Sequence, residues 1–190
     1  DEYATAGDDG VVMVWSVGRR YCLRKVRVEA ASRALAYSPD GTLIAIGFGA
    51  GEGHPLASKD GAIMILDGAS LEIIREERRA KQTITDIKYG PTDAEIMAVA
   101  STDGRIYIHG TRKYDLLRVV EMPTRGCAVT KVDFSADGAA LRACTNLDQL
   151  FYCNTQNGDF ISNPTLLRDQ SWLQHSSPFA WLAQGIHRRG

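Results

Sequence analysis

Three stretches of this chain follow one template, and that repetition constrains the fold more than any other feature. An apolar alternating strand leads into Ser-Pro-Asp-Gly or a variant, then a second apolar strand, a turn and a third strand. The first copy runs Arg33-Ala34-Leu35-Ala36-Tyr37-Ser38-Pro39-Asp40-Gly41 and on to Leu43-Ile44-Ala45-Ile46-Gly47. The second starts at Ile84-Thr85-Asp86-Ile87-Lys88-Tyr89-Gly90 and continues through Ile96–Ala100, and the third pairs Val129–Gly138 with Ala140–Cys144. The anchors Ser38, Gly90 and Ser135 are 52 and 45 residues apart, with an insertion from Gly49 to Lys59 lengthening the first interval. Each unit is too small to bury its apolar face alone, so such units must stack.

The turns say what the units are. Asp-Gly occurs at 9–10, 40–41, 60–61, 103–104 and 137–138. Between apolar runs this pair is a strong hairpin signal, because the turn needs positive φ. β-rich runs follow at Val11–Trp15, Ala62–Leu66 and Arg105–His109, and a fourth strand per repeat can be drawn at Tyr21–Val28, Leu71–Glu76 and Leu116–Glu121. Helical periodicity is scarce. Short strands at even spacing leave a sandwich or a propeller, and the repeat decides for the propeller.

Ala6-Gly7-Asp8-Asp9-Gly10-Val11-Val12-Met13-Val14-Trp15 looks like the end of a WD repeat, with Ser16 where that motif has Asp. Leu66, His109 and Tyr152 stand near the Trp position in the other units. The expected fold is therefore all-β: a partial WD40-type propeller of about four four-stranded antiparallel blades belonging to a larger ring. Residues 1–17 are read as the end of one blade, 18–67 as a blade with an inserted loop at 49–59, 68–111 and 112–158 as two more, and 159–190 as the start of a further blade. Asp1 is not Met and lies next to a strand-like pattern, which reads as a piece of a longer protein. An open arc exposes strand edges, so the remainder of the ring is expected from chain beyond this piece.

The order of units resembles the echinoderm microtubule-associated protein-like family. Ile84–Tyr89 with Met97–Ser101 carries the resemblance, as do Leu141–Asn146 with Gln149–Tyr152. Most specific are Leu167-Arg168-Asp169-Gln170-Ser171-Trp172 and Trp181-Leu182-Ala183-Gln184-Gly185-Ile186, which generic WD repeats lack. His187 stands where that family usually has Trp. The resemblance implies tandem propellers, binding to tubulin, microtubules or their associated proteins, and a cytoplasmic, cytoskeletal setting such as a ciliary axoneme or spindle.

Composition narrows the function classes. Net charge is −1, from 22 basic and 23 acidic residues, which argues against a general nucleic-acid binder. No apolar run reaches the roughly 18 residues of a membrane span, and no signal peptide opens the chain. Cys22, Cys127, Cys144 and Cys153 form no Cys-x-x-Cys pair and read as reduced thiols. His54, His109, His175 and His187 fall in no catalytic constellation, and Asp8, Asp9, Asp40 and Asp103 are spread over three separate turns. No enzyme, metal or cofactor is expected.

The glycine-rich stretch Gly47–Gly53 suggests phosphate binding, but Pro55 and a hairpin follow where such a loop must open a helix. Asp9, Asp40, Asp60, Asp103 and Asp137 read as turn residues, and Trp15, Trp172 and Trp181 as packing residues. The densest charge run, Arg75-Glu76-Glu77-Arg78-Arg79-Ala80-Lys81, reads as a solvated loop or as a contact to an acidic protein. Arg75, Arg78, Arg79 and Lys81 are the candidate partner-binding residues, joined by Arg188 and Arg189 near the end. The expected function is a non-catalytic protein-interaction scaffold associated with microtubules or tubulin. A generic WD scaffold of another intracellular complex is the alternative.

Overall fold

A computed structural model describes residues 1–28, 30–50 and 57–178. The expected all-β class holds: the described chain forms four antiparallel sheets of three or four strands. The first contains β1 (Glu2–Ala6), β2 (Val11–Ser16) and β3 (Cys22–Arg27). Next come β4 (Ser32–Tyr37), β5 (Leu43–Phe48), β6 (Ala62–Asp67) and β7 (Ile73–Arg78). β8 (Ile84–Tyr89), β9 (Ile96–Ser101), β10 (Arg105–Gly110) and β11 (Leu116–Glu121) build the third sheet. The fourth holds β12 (Val129–Phe134), β13 (Ala140–Thr145) and β14 (Leu150–Asn154). Every sheet is an up-and-down meander, as short turns between consecutive strands dictate.

The chain divides into two compact units, residues 1–87 and 88–190. The core of the first joins Val12 and Val14 to Ile44, Ile46, Phe48, Met64 and Leu66. In the second, Ala98, Ile106 and Ile108 pack with Val132, Phe134, Leu141 and Cys153. Strand position explains composition. β5, β6, β9 and β13 lie inside their sheets and are buried along nearly their whole length, apolar on both faces except for Arg142 and the strand ends. β3 lies at a sheet edge and alternates half-buried with exposed residues.

The sheets are offset by one strand from the segments read in the sequence. Residues 22–27, 73–78 and 116–121 pair with the strand that precedes each of them. They therefore complete the sheet before, and positions 17, 67 and 111 fall between paired strands. The repeat template itself opens on the first strand of a sheet, since Arg33–Tyr37 lies in β4 and Ile84–Tyr89 is β8; only the segment boundaries, set before the preceding outer strand, run one strand early. Among the described residues the fourth sheet has three strands, and a single bridge from Cys153 to Phe160 stands where a fourth would run. Residues 159–178 contain a short 3-10 helix at Pro164–Leu167 and no strand.

Candidate partner-binding surface

The turn aspartates are held in place by the chain itself. Asp40 accepts from the Ser38 hydroxyl at 2.5 Å, the Thr42 amide at 3.1 Å and the Thr42 hydroxyl at 2.8 Å. Asp137 repeats this with the Ser135 hydroxyl at 2.6 Å and the Ala139 amide at 3.0 Å. The Ser38 hydroxyl holds the Asp40 carboxyl below its ordinary value, and the Ser135 hydroxyl does the same to Asp137. Asp9 accepts from the Val11 amide, and Asp60 from the Ala50 amide. Asp103 takes the Arg105 amide and the Tyr107 hydroxyl, the latter at 2.7 Å. Burial first, and then Asp103, raise the Tyr107 phenol above its usual range.

The Trp of the WD signature stands in the first sheet, at Trp15. Trp15 donates its indole N–H to the Thr5 hydroxyl at 2.9 Å and stacks on Tyr3. Leu66 and His109 take the same fifth position of β6 and β10. The buried His109 ring meets the Tyr114 carbonyl at 3.2 Å. In the glycine-rich stretch, the Gly49 amide donates to Ala31 O and the Ala50 amide to Asp60. Both amides are engaged by the protein, so they are not a cradle for phosphate; residues 51–56 lie outside the described residues.

The candidate cations lie on and after the edge strand β7. Arg75, Arg78, Arg79 and Lys81 are exposed. Glu77 takes both Arg75, at 3.2 Å, and Arg79, while Lys59 reaches Glu76 at 2.8 Å. The run thus satisfies much of its own charge. Arg188 and Arg189 lie outside the described residues, as does Trp181.

A second charged edge went unnoticed in the sequence because it is less dense. From Val17 to Val28 there are five basic residues and no acidic one. This segment is β3 and the turn before it. Arg24 points inward, to Glu2 at 2.5 Å and to the Gly68 carbonyl at 2.9 Å. Arg19, Arg20, Lys25 and Arg27 are exposed and make no ion pair among the described residues. Net sign over the segment would have found this strand where charge density did not.

The structure also reveals a buried ion pair. Arg142 on β13 meets Asp133 on β12 at 2.9 Å, with side chains 2% and 0% exposed. Residues 171–177 close over it. Asp133 accepts from the Ser176 hydroxyl and amide and from the Ser177 amide. Trp172 lies 4.4 Å from the Arg142 guanidinium and 5.8 Å from the Tyr152 ring. Burial pushes the Asp133 carboxyl up, but Ser176, Arg142 and Ser177 outweigh it and hold the group below its ordinary value. Among the described residues, no three His, Cys, Asp or Glu side chains come together as a metal site.

Residues 1–190 match the model of the echinoderm microtubule-associated protein second β-propeller. The chain belongs to this family. Among curated relatives of this second-propeller chain is the ciliary WD repeat-containing protein ctxp80 of Euplotoides octocarinatus, 24% identical over the whole chain. Echinoderm microtubule-associated protein-like 2 of Homo sapiens is 20% identical, also over the whole chain. The chain spans 28% of the length of each of these relatives.

The residues that carried the resemblance occupy defined places in the second-propeller fold. Ile84–Tyr89 is β8, Met97–Ser101 lies in β9, and Leu141 to Thr145 lies in β13. Of the most specific stretch, Ser171 and Trp172 belong to the segment that closes the Asp133–Arg142 pair, and 181–186 lie outside the described residues. No helix among the described residues is long and apolar enough to cross a membrane.

Proposed function

We propose that this chain is a non-catalytic scaffold that binds proteins, and that its partners are microtubules, tubulin or proteins associated with them. The observation that carries this reading is the family match over all 190 residues, together with relatives named for microtubules and for cilia. The place of action under this reading is the cytoplasmic cytoskeleton, with the axoneme and the spindle as settings. Stacked sheets suit the role, because rigid meanders present turns and outer strands in fixed positions.

Arg75, Arg78, Arg79 and Lys81 serve such a scaffold as a rim contact. A partner's carboxylate could join Glu77 as an acceptor for Arg75 and Arg79, whose side chains are 42% and 51% exposed. Arg188 and Arg189 are candidates of the same kind.

Co-sedimentation of the chain with polymerised tubulin at low salt tests the reading. The expected result is salt-sensitive recovery in the pellet that rises with microtubule concentration. Recovery no greater than in a tubulin-free control at low salt would overturn the microtubule assignment.

A further inference from the structure

We infer that the outer strand β3 is a docking edge for an extended acidic peptide, which joins the first sheet as an added strand. The inference deepens the scaffold reading by naming the chemistry of a partner. It rests on that reading only for the premise that the chain binds proteins.

The first support is the backbone. β3 ends its sheet, so among the described residues one side of it has no partner strand. The Val28 amide donates to Gly10 O at 2.8 Å. Antiparallel pairs alternate between bonded and non-bonded, so Val26 opposite Val12 and Arg24 opposite Val14 are the bonded ones. The amides and carbonyls of Lys25 and Arg27 therefore point away from β2, into the open edge.

The second support is charge. Lys25 and Arg27 project on one face, opposite Met13 and Val11, and are about 7 Å apart along the strand. An added strand with carboxylates at alternate positions places them beside these two cations. Arg19 and Arg20 extend the positive field past the end of the strand. No acidic residue interrupts 17–28, and the next one, Glu29, lies outside the described residues.

The other outer strands lack this combination. β7 mixes both signs, with Glu77 taking Arg75 and the following Arg79, and β11 carries Arg118 bonded to Gln156 O and Glu121 paired with Arg105. Cations on an edge strand ordinarily repel a second copy of the same edge. An acidic strand is the partner for which that guard becomes an attraction. A nucleic acid could meet the charge, but it has no alternating N–H and C=O groups to match the open backbone.

The probe is a fluorescein-labelled peptide of alternating Glu and Val, titrated with the chain and followed by anisotropy. Saturable binding is expected, weakening from low salt to ~0.15 M as charges are screened. Lys25→Glu with Arg27→Glu should weaken it about ten-fold or more, and Lys25→Gln with Arg27→Gln by less. Lys113→Glu with Arg125→Glu, two exposed cations outside the sheet of β3, should leave it within about two-fold. The same peptide N-methylated at alternate amides keeps its charge but cannot pair with an edge, and should bind at least about ten-fold more weakly. Unchanged binding by the Lys25/Arg27 variants, equal binding of the methylated peptide, or tighter binding of oligothymidylate would each overturn the inference. Microtubule co-sedimentation in parallel keeps the readings apart. Pelleting without peptide binding sinks only the β3 edge; peptide binding without pelleting sinks only the microtubule assignment.

Discussion

Asp133 is the residue on which most of the second unit's polar interior converges. Its two oxygens take Arg142, the Ser176 hydroxyl and amide, and the Ser177 amide. Removing it leaves Arg142 charged at 2% exposure with no carboxylate, so Asp133→Ala should cost about 3–5 kcal/mol in urea unfolding. The depressed folded pKa also fixes a pH dependence. An acid held below its unfolded value contributes stability above about pH 4, and that contribution is lost as pH falls through the folded value. Asp40 and Asp137 act in the same direction. Stability should therefore drop on acidification below about pH 4, and Asp133→Asn should flatten that drop; equal slopes in the two proteins would count against this assignment. The thiols offer a second check. Cys127, Cys144 and Cys153 are buried, and burial pushes Cys153 up to about 12, while Cys22 is half-buried. One thiol should react quickly with a maleimide in the native chain and all four after denaturation. Rapid native labelling of Cys153 would show that its site opens far more readily than its burial implies.

At the scale of the element, the Asp-Gly turns separate two costs that are usually mixed. Gly41 has φ +73° and nothing within 4 Å of an added Cβ, so Gly41→Ala should cost only the left-handed conformation, about 1–2 kcal/mol. Gly61 has φ +80° and an added Cβ would lie 2.3 Å from the Ala80 carbonyl oxygen. Gly61→Ala should lose a further ~1–3 kcal/mol, because backbone must move to admit the methyl. Equal melting temperatures for the two variants would refute the close approach. These turns also show why so much of the fold was legible. Asp-Gly fixes where a hairpin closes, and apolar runs on both sides fix which strands lie inside a sheet. The register of blades was less legible, since a strand such as Cys22–Arg27 carries no mark of which neighbour it pairs with. The Asp133–Arg142 pair was hidden for a similar reason: Arg142 sits in a run that reads Ala-Leu-Arg-Ala-Cys, and the groups that satisfy it arrive from residues 171–177, about 30 positions later. The basic edge was present in the sequence all along, but only the pairing of β3 shows that its backbone is open.

Across the molecule, both units follow one pattern: strands inside a sheet and the first strands β8 and β12 carry the core, and the outer strands β3, β7 and β11 meet solvent. β5, β6, β9 and β13 are buried along nearly their whole length, and β3, β7 and β11 expose Leu23, Ile73, Ile74, Leu117 and Val119. Local opening follows the number of buried contacts that must break and the exposure of the backbone hydrogen bonds. An outer strand has one bonded neighbour; an inner one has two, plus apolar packing on both faces. Amide exchange should therefore run from outside inward in each unit, with β3, β7 and β11 exchanging first and β5, β6, β9, β10 and β13 last. The order should hold for each unit by itself, whatever their relative stabilities, because each has its own core. A peptide seated on β3 changes one part of this hierarchy. It gives the outward amides of Lys25 and Arg27 acceptors, so those two should move from the fastest class towards that of β2, while β7 and β11 keep their rates. Exchange measured by NMR with and without the Glu-Val peptide resolves these amides singly. Protection at Lys25 and Arg27 with none at Arg24 or Val26, which already donate to β2, is the pattern that strand addition requires and that a purely ionic contact does not produce.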